Sequence, residues 1–163
     1  GGRPVVVIEN YFRIVHAENK GAAWGILSNA EWRIPFFVVT TLIALIVIGV
    51  YYYRLDERDN LQATGLALIL GGALGNFIDR VRFQSVTDFI EVYVGVDPAR
   101  SWLIDTFRSY RWPACNIADA AIVMGIGLIL YFIFIIEPKL LKAAEAAEAE
   151  AGGKDEEALR EGA

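Results

Sequence analysis

The chain has 163 residues, 55% of them hydrophobic, a mean hydropathy of +0.40 and a formal net charge of −5. A soluble domain is usually about 45–50% apolar, so the excess points away from an ordinary soluble protein. Its lone cysteine, Cys115, excludes an internal disulfide, its lone histidine, His16, argues against a His-based metal centre or Ser-His triad, and no clustered basic face suggests nucleic acid.

Residues 4–33 alternate in places and carry β-branched and aromatic side chains, so Val5–Ile8 and Tyr11–Ala17 are expected as short strands. Residues 1–33 then form a small β-rich domain at a membrane surface, with Trp24 and Trp32 in the interfacial aromatic belt. His16 reads as a surface or packing residue.

Residues 34–53, "IPFFVVTTLIALIVIGVYYY", contain no charge, nor do 61–78, "LQATGLALILGGALGNFI". A third apolar run covers 116–136, interrupted only by Asp119. About 20 residues at ~1.5 Å each cross ~30 Å of hydrocarbon. Each block is long enough. Buried core helices are the alternative, but the rest of so short a chain offers little to bury three of them. The expected fold class is an α-helical integral membrane protein with three transmembrane helices and a small β-rich domain.

The polar turn at 54–60 makes the first two spans an antiparallel hairpin. In the second span Ala67, Gly71 and Gly75 fall on one helical face, where a neighbour's backbone can approach. Residues 79–115 form a long loop. Within it Leu103, Phe107 and Tyr110 have helical spacing, flanked by Arg100, Arg108 and Arg111. That pattern suits an interfacial amphipathic segment, or a flap, as well as an ordinary loop helix. The acidic 137–163 tail is Ala/Glu-rich and reads as a helical extension fraying into disorder. Positive-inside counting conflicts with itself: the long loop holds five arginines and the 54–59 turn two, while Lys139 and Lys142 pull the other way.

Three aspartates stand at the ends of spans. Asp79 adjoins Arg80, a pair most simply structural. Asp88 lies among Val86, Phe89 and Ile90. Asp119 opens the third span with Asn116 at i−3 on the same helix face and Pro113 just upstream. Ionisable groups at membrane depth are functional candidates. Two carboxylates brought together cannot both ionise cheaply, so one proton is shared and a water can be activated. A proton relay and a polar helix-packing contact remain alternatives. Cys115 has no neighbouring His, and burial would raise its thiol.

Three segments carry a resemblance: "ENKGAAWGIL" at 18–27, "GGALGNFIDRVRFQSVTDFIEVY" at 71–93 and "WPACNIADAAIVMG" at 112–125. Together they resemble the bacterial lipoprotein signal peptidases (signal peptidase II), in that family's order and with spans where it has spans. The resemblance implies a membrane-embedded aspartyl endopeptidase that removes signal peptides from prolipoproteins just before a diacylglyceryl-modified cysteine. It implies Asp88 and Asp119 as the catalytic pair. Asn76, Asp79 and Arg80 match the polar cluster that organises the site, Asn116 the Asn preceding the second catalytic Asp, and Asn19 and Gly21 the outer-loop motif near the substrate path. Water is the nucleophile, so no metal, cofactor or covalent intermediate is expected.

The implied setting is the bacterial inner membrane, with 1–33 and 79–115 at the extracytoplasmic face, 54–60 and 137–163 in the cytoplasm, membrane lipid as neighbour, and a monomer. The family normally has four spans. This chain opens at "GGRPVVVIENYF", so the first span is expected to be absent from it, and a non-cleaving polytopic protein that binds lipoprotein, or uses its Asp residues for proton transfer or packing, stands as the alternative function. Two further departures are the 31 positions between Asp88 and Asp119, which look longer than usual, and Cys115 where the family often has an aromatic residue.

Overall fold

The computed structural model describes residues 2–21, 32–56 and 59–146. Trp24, most of the 18–27 segment, Glu57, Arg58 and the tail beyond Ala146 lie outside the described residues. Two strands come first, β1 (Val5–Ile8) and β2 (Phe12–Asn19). They are followed by α1 (Arg33–Tyr53), α2 (Asn60–Phe83), β3 (Val86–Val92), α3 (Ala99–Phe107) and α4 (Ile117–Tyr131). The α4 rod continues through one turn of wider pitch, Phe132–Ile136, to Ala146. That turn stands just before Pro138, which lacks an N–H and would crowd the carbonyl four residues back in a regular helix.

Three helices are long and apolar enough to cross a membrane: Ile34–Tyr53, Asn60–Phe83 and Ile117–Ala146. Burial supports the same reading. The apolar window of α1 has no buried residue. The buried polar residues are Gln62, Asn76, Ser85, Asp88 and Asn116, whereas Leu66 and Val86 are the buried large hydrophobics. A soluble protein hides its apolar side chains and exposes its polar ones. Here the distribution is reversed, as expected where hydrocarbon is the solvent and polar groups must find partners inside.

The α2–α4 contact is the main helix interface, and it is built on glycine. A Cβ on Gly65 would come 3.0 Å from the Gly125 carbonyl oxygen, and one on Gly72 would meet the Ala118 carbonyl and lie 2.7 Å from Ile122 Cγ1. The expected small-residue face of Ala67, Gly71 and Gly75 is therefore displaced. Gly71 faces open space and Ala67 is exposed, while Gly75 makes ordinary contact with Ala118. The true face runs Gly65, Gly72, Asn76. Both faces obey helical spacing, so periodicity alone cannot choose between them. The α1 helix joins α2 through a hydrogen bond from the Tyr51 hydroxyl to Gln62 Oε1.

The strands form one antiparallel sheet in the order β1-β2-β3. The first strand falls where the alternation placed it. The second runs Phe12–Asn19 rather than Tyr11–Ala17, because Tyr11 belongs to the turn, where Asn10 adopts φ 69°. That turn packs against the end of β3: Gly95 N–H donates to the Asn10 carbonyl at 2.8 Å, and a Cβ on Gly95 would collide with Asn10. β3 itself was not expected as a strand. Its partner β2 is distant in sequence, with Ala17 opposite Asp88 and Asn19 opposite Val86.

Two helix ends also differ from expectation. α2 runs on to Phe83, so Asp79 and Arg80 lie in its last turns rather than in a loop. α3 stops at Phe107, where Arg108 turns left-handed, so Tyr110 is not part of the helical stripe.

Candidate active site at the membrane end of the helices

The C-terminal end of α2, the N-terminal end of α4 and the strand β3 meet at one end of the bundle. The link is a short piece of backbone. Cys115 N–H donates to the Ile90 carbonyl at 3.0 Å, and the Cys115 carbonyl accepts from Phe89 N–H at 2.9 Å and Ile90 N–H at 2.8 Å. This ties the chain just before α4 to the residues just after Asp88. The next residue, Asn116, then caps α4: its side chain accepts from Asp119 N–H at 3.0 Å, and Asp119 Oδ2 accepts from Asn116 N–H at 3.1 Å. This reciprocal capping box satisfies two helix-end donors and fixes Asp119 on the inner side of the first turn.

Asn116 has a second use. Its Nδ2 donates to Asp88 Oδ1 at 3.0 Å and to Asn76 Oδ1 at 3.1 Å. Asn76 Nδ2 in turn donates to Asp119 Oδ1 at 2.8 Å. On the other side Asn19 Nδ2 donates to Asp88 Oδ2 at 3.0 Å. Each carboxylate is thus held by amide donors on both oxygens, and Asn116 and Asn76 stand between the two. No hydrogen bond joins Asp88 directly to Asp119 among the described residues. Asp88 is only 3% exposed. Burial, and secondarily the charge of Asp119, push its carboxyl above the usual carboxylate range, against the opposing donors Asn19 and Asn116 and the charge of Arg80.

Arg80 braces this cluster. Its guanidinium lies 4.5 Å over the Phe37 ring of α1 and donates to the Asn76 and Gly21 carbonyls, both at 3.3 Å. Gly21 N–H donates to Asn19 Oδ1 at 3.1 Å. Of the eight residues singled out from sequence, seven therefore share one network: Asn19, Gly21, Asn76, Arg80, Asp88, Asn116 and Asp119. Asp79 makes no hydrogen bond to it among the described residues. Phe37 was missed, because an aromatic in an uncharged run carries no signal of a cation above it.

A cavity of about 560 Å³ opens beside the carboxylates. Asn19, Arg80, Asp88 and Asp119 line its polar end, and Trp112, Val123 and Met124 line its apolar side. Val123 and Met124 follow Asp119 by one helical turn, so the cavity runs from the carboxylates along the membrane-facing side of α4. Cys115 also borders it, and burial raises its thiol, which makes it a poor nucleophile.

Apolar spans that converge on a buried and a half-buried aspartate, both amide-held and bordering one cavity, define the class: a membrane-embedded hydrolase of the paired-carboxylate type. Comparison with known proteins carries this to a family. The family model for signal peptidase (SPase) II matches residues 2–135. The chain is 43% identical to the lipoprotein signal peptidase of Syntrophotalea carbinolica over 76% of this chain and 69% of that protein. It is 41% identical to that of Geobacter sulfurreducens, over 77% and 70%, and 44% identical to that of Maridesulfovibrio salexigens, over 73% and 69%. A bacterial membrane enzyme solved in meso at 2.3 Å superposes with a TM-score of 0.64 at 34% identity, covering 85% of this chain and 73% of that one. The chain belongs to the signal peptidase II family of aspartic peptidases, which are integral membrane enzymes.

Proposed function

We propose that Asp88 and Asp119 are the catalytic pair, and that they cleave prolipoproteins immediately before a diacylglyceryl-modified cysteine. The observation that carries this reading is the meeting of the two carboxylates, from β3 and α4, at one membrane-end cavity with apolar walls. The scissile carbonyl sits between them with a water. Asp119 takes a proton from the water as its oxygen adds to the carbonyl carbon. Asp88, whose protonated form its burial favours, gives its proton to the carbonyl oxygen, forming a gem-diol. Asp119 then passes its proton to the amide nitrogen, Asp88 recovers one from a gem-diol hydroxyl, and the C–N bond breaks. The pair ends with the single proton it began with.

The amides have a matching role. Asn116 and Asn76 fix the spacing of the carboxylates, and Asn19 orients Asp88. Arg80 holds Gly21 over the site, and Asp79 adds support without touching the reacting atoms.

A diacylglyceryl-linked peptide stays in the bilayer. Withdrawing it would cost about 0.8 kcal/mol per CH₂. A site at the ends of the spans instead brings water to the lipid boundary, and the strip Trp112, Val123, Met124 offers apolar surface next to the carboxylates. The sheet and the 98–111 segment flank the extended peptide. We place this end at the extracytoplasmic face of the inner membrane. The test is cleavage of a diacylglyceryl-modified prolipoprotein in lipid by this chain, Asp88→Asn and Asp119→Asn. Cleavage before the modified cysteine that each variant abolishes supports the assignment; undiminished cleavage by either variant removes it.

A further inference from the structure

The segment between β3 and α4 contains a helix, α3, none of whose residues lines the cavity beside the carboxylates. α3 rises from a short two-stranded base in which Val94 N–H donates to the Tyr110 carbonyl and Trp112 N–H to the Val92 carbonyl, both at 2.9 Å. At 100° per residue, Trp102, Leu103 and Phe107 share one broad arc of α3, Ser101 lies opposite it, and Asp105 stands at its edge one turn from Trp102. Leu103 and Ile104 are half-buried. Trp102 and Phe107 are not: they are 60% and 65% exposed, and their rings pair edge-to-face at 5.8 Å. Trp112, at the foot of the segment, is 69% exposed. A soluble surface would leave this aromatic patch in water.

The charges around the patch are arranged by sign. Arg100 and Arg111 lie 4.8 and 4.9 Å over the Tyr110 ring, which holds them at the base of the helix, and Arg108 caps its end. Of the two acidic residues, Asp97 accepts a hydrogen bond from the Ser101 hydroxyl at 2.6 Å, and Asp105 stands at the edge of the arc. The patch also sits where the bilayer surface must be, since α1 begins, α2 ends and α4 begins at this same end of the bundle.

We propose that α3 is an interfacial anchor that docks on the anionic phospholipid layer of the bilayer crossed by its own spans. Trp102, Phe107 and Trp112 enter the boundary between headgroups and acyl chains, and Arg100, Arg108 and Arg111 meet the phosphates. Because β3 carries Asp88 at one foot of the segment and Asp119 follows at the other, the anchor sets the depth of that end of the molecule. The inference stands on the patch and does not depend on the peptidase chemistry.

The full chain is reconstituted in nanodiscs of phosphatidylcholine alone or with phosphatidylglycerol, with Trp24, Trp32 and Trp112 replaced by Phe so that Trp102 reports alone. Lipids brominated near the headgroup should quench Trp102 more than lipids brominated deep in the chain, and aqueous iodide should quench it weakly. Quenching should rise with phosphatidylglycerol. Each of Arg100→Gln, Arg108→Gln and Arg111→Gln should lower the docked-to-undocked ratio about fivefold where anchoring is not saturated. Strong iodide quenching with no effect of bromolipid overturns the proposal, and so does bromolipid quenching indifferent to phosphatidylglycerol and to the arginines. If the triple replacement fails to fold, a nitroxide on Trp102→Cys in a Cys115→Ala background gives the same reading. It should be accessible to oxygen and not to a water-soluble nickel chelate, while a label on Ser101→Cys, opposite the arc, should show the reverse.

Discussion

Asn116 is the most heavily used side chain in the site. It caps α4 with its oxygen, at the backbone of Asp119, and holds Asp88 and Asn76 with its nitrogen, so its three side-chain hydrogen bonds tie the elements that carry the two carboxylates. Asn116→Ala loses a cap worth about 1 kcal/mol and also unties Asp88 from Asn76. The expected result is a modest fall in Tm and a much larger loss of cleavage, whereas Asn116→Asp should keep the cap and still lose activity through a third carboxylate. Thermal unfolding and cleavage measured on the same preparations separate the two effects. Asp88→Asn and Asp119→Asn should each reduce turnover by roughly 10²–10⁴-fold, the usual contribution of a positioned acid or base, with Tm little changed.

Burial gives Asp88 a pH signature. Its carboxyl is raised in the folded protein, so the native state opposes its ionisation. The sign follows directly: this group favours the fold fully below its unfolded value, and that contribution is lost as pH rises through the raised folded value. In the proposed role of proton donor, Asp88 must also be protonated for the reaction. The alkaline limb of the cleavage profile should therefore lie above the ordinary carboxylate range, and a limb at the ordinary value would contradict the assignment of the acid. A pH series of kcat/KM in lipid nanodiscs reads it.

At the level of elements, two features make the site: the glycine seam between α2 and α4, and the backbone bridge from Cys115 to β3. A Cβ on Gly72 meets Ala118 backbone and Ile122, neither of which can swing away. Gly72→Ala should cost about 1–3 kcal/mol of stability and pull Asn76 off Asp119, lowering activity as well. Gly71→Ala, one residue earlier and facing open space, should change neither. Equal effects in the two variants, compared by thermal unfolding and cleavage, would mean that the seam lies elsewhere. The bridge makes a parallel contrast. Cys115→Ala keeps the N–H that reaches Ile90 and should remain active, as water and not sulfur is the nucleophile. Cys115→Pro deletes that donor and should uncouple Asp119 from Asp88, with cleavage lost.

For the whole molecule, the polar interior and apolar exterior predict that the protein is held as an integral membrane protein. Alkaline carbonate should leave it in the membrane pellet, and only detergent should release it; extraction by carbonate would be incompatible with three spans. The large exposed side chains of α1, from Phe36 through Tyr53, have no partner among the described residues to cover them, as expected for side chains that face hydrocarbon.

What can be read from residues in order is what local chemistry encodes. Uncharged blocks of about 20 residues reveal the spans, since length and hydropathy are properties of a segment alone. The β-branched run at 5–8 reveals a strand, and the Asp, Asn and Arg at the block ends mark a site and a family. Pairing across the chain is another matter. That Asn19 meets Asp88 at a separation of 69 residues, and Asn76 meets Asp119 at 43, depends on strand register and helix rotation. β3 escaped a local reading because its partner lies far upstream and its exposed and buried positions are set by that pairing. Gly65 and Gly72 could not be preferred over Ala67 and Gly71 from sequence, because each pair satisfies helical geometry and only the position of α4 decides which face is covered. The chemistry was written in residue types; the spacing that makes two carboxylates one site exists only once α2, α4 and β3 have packed.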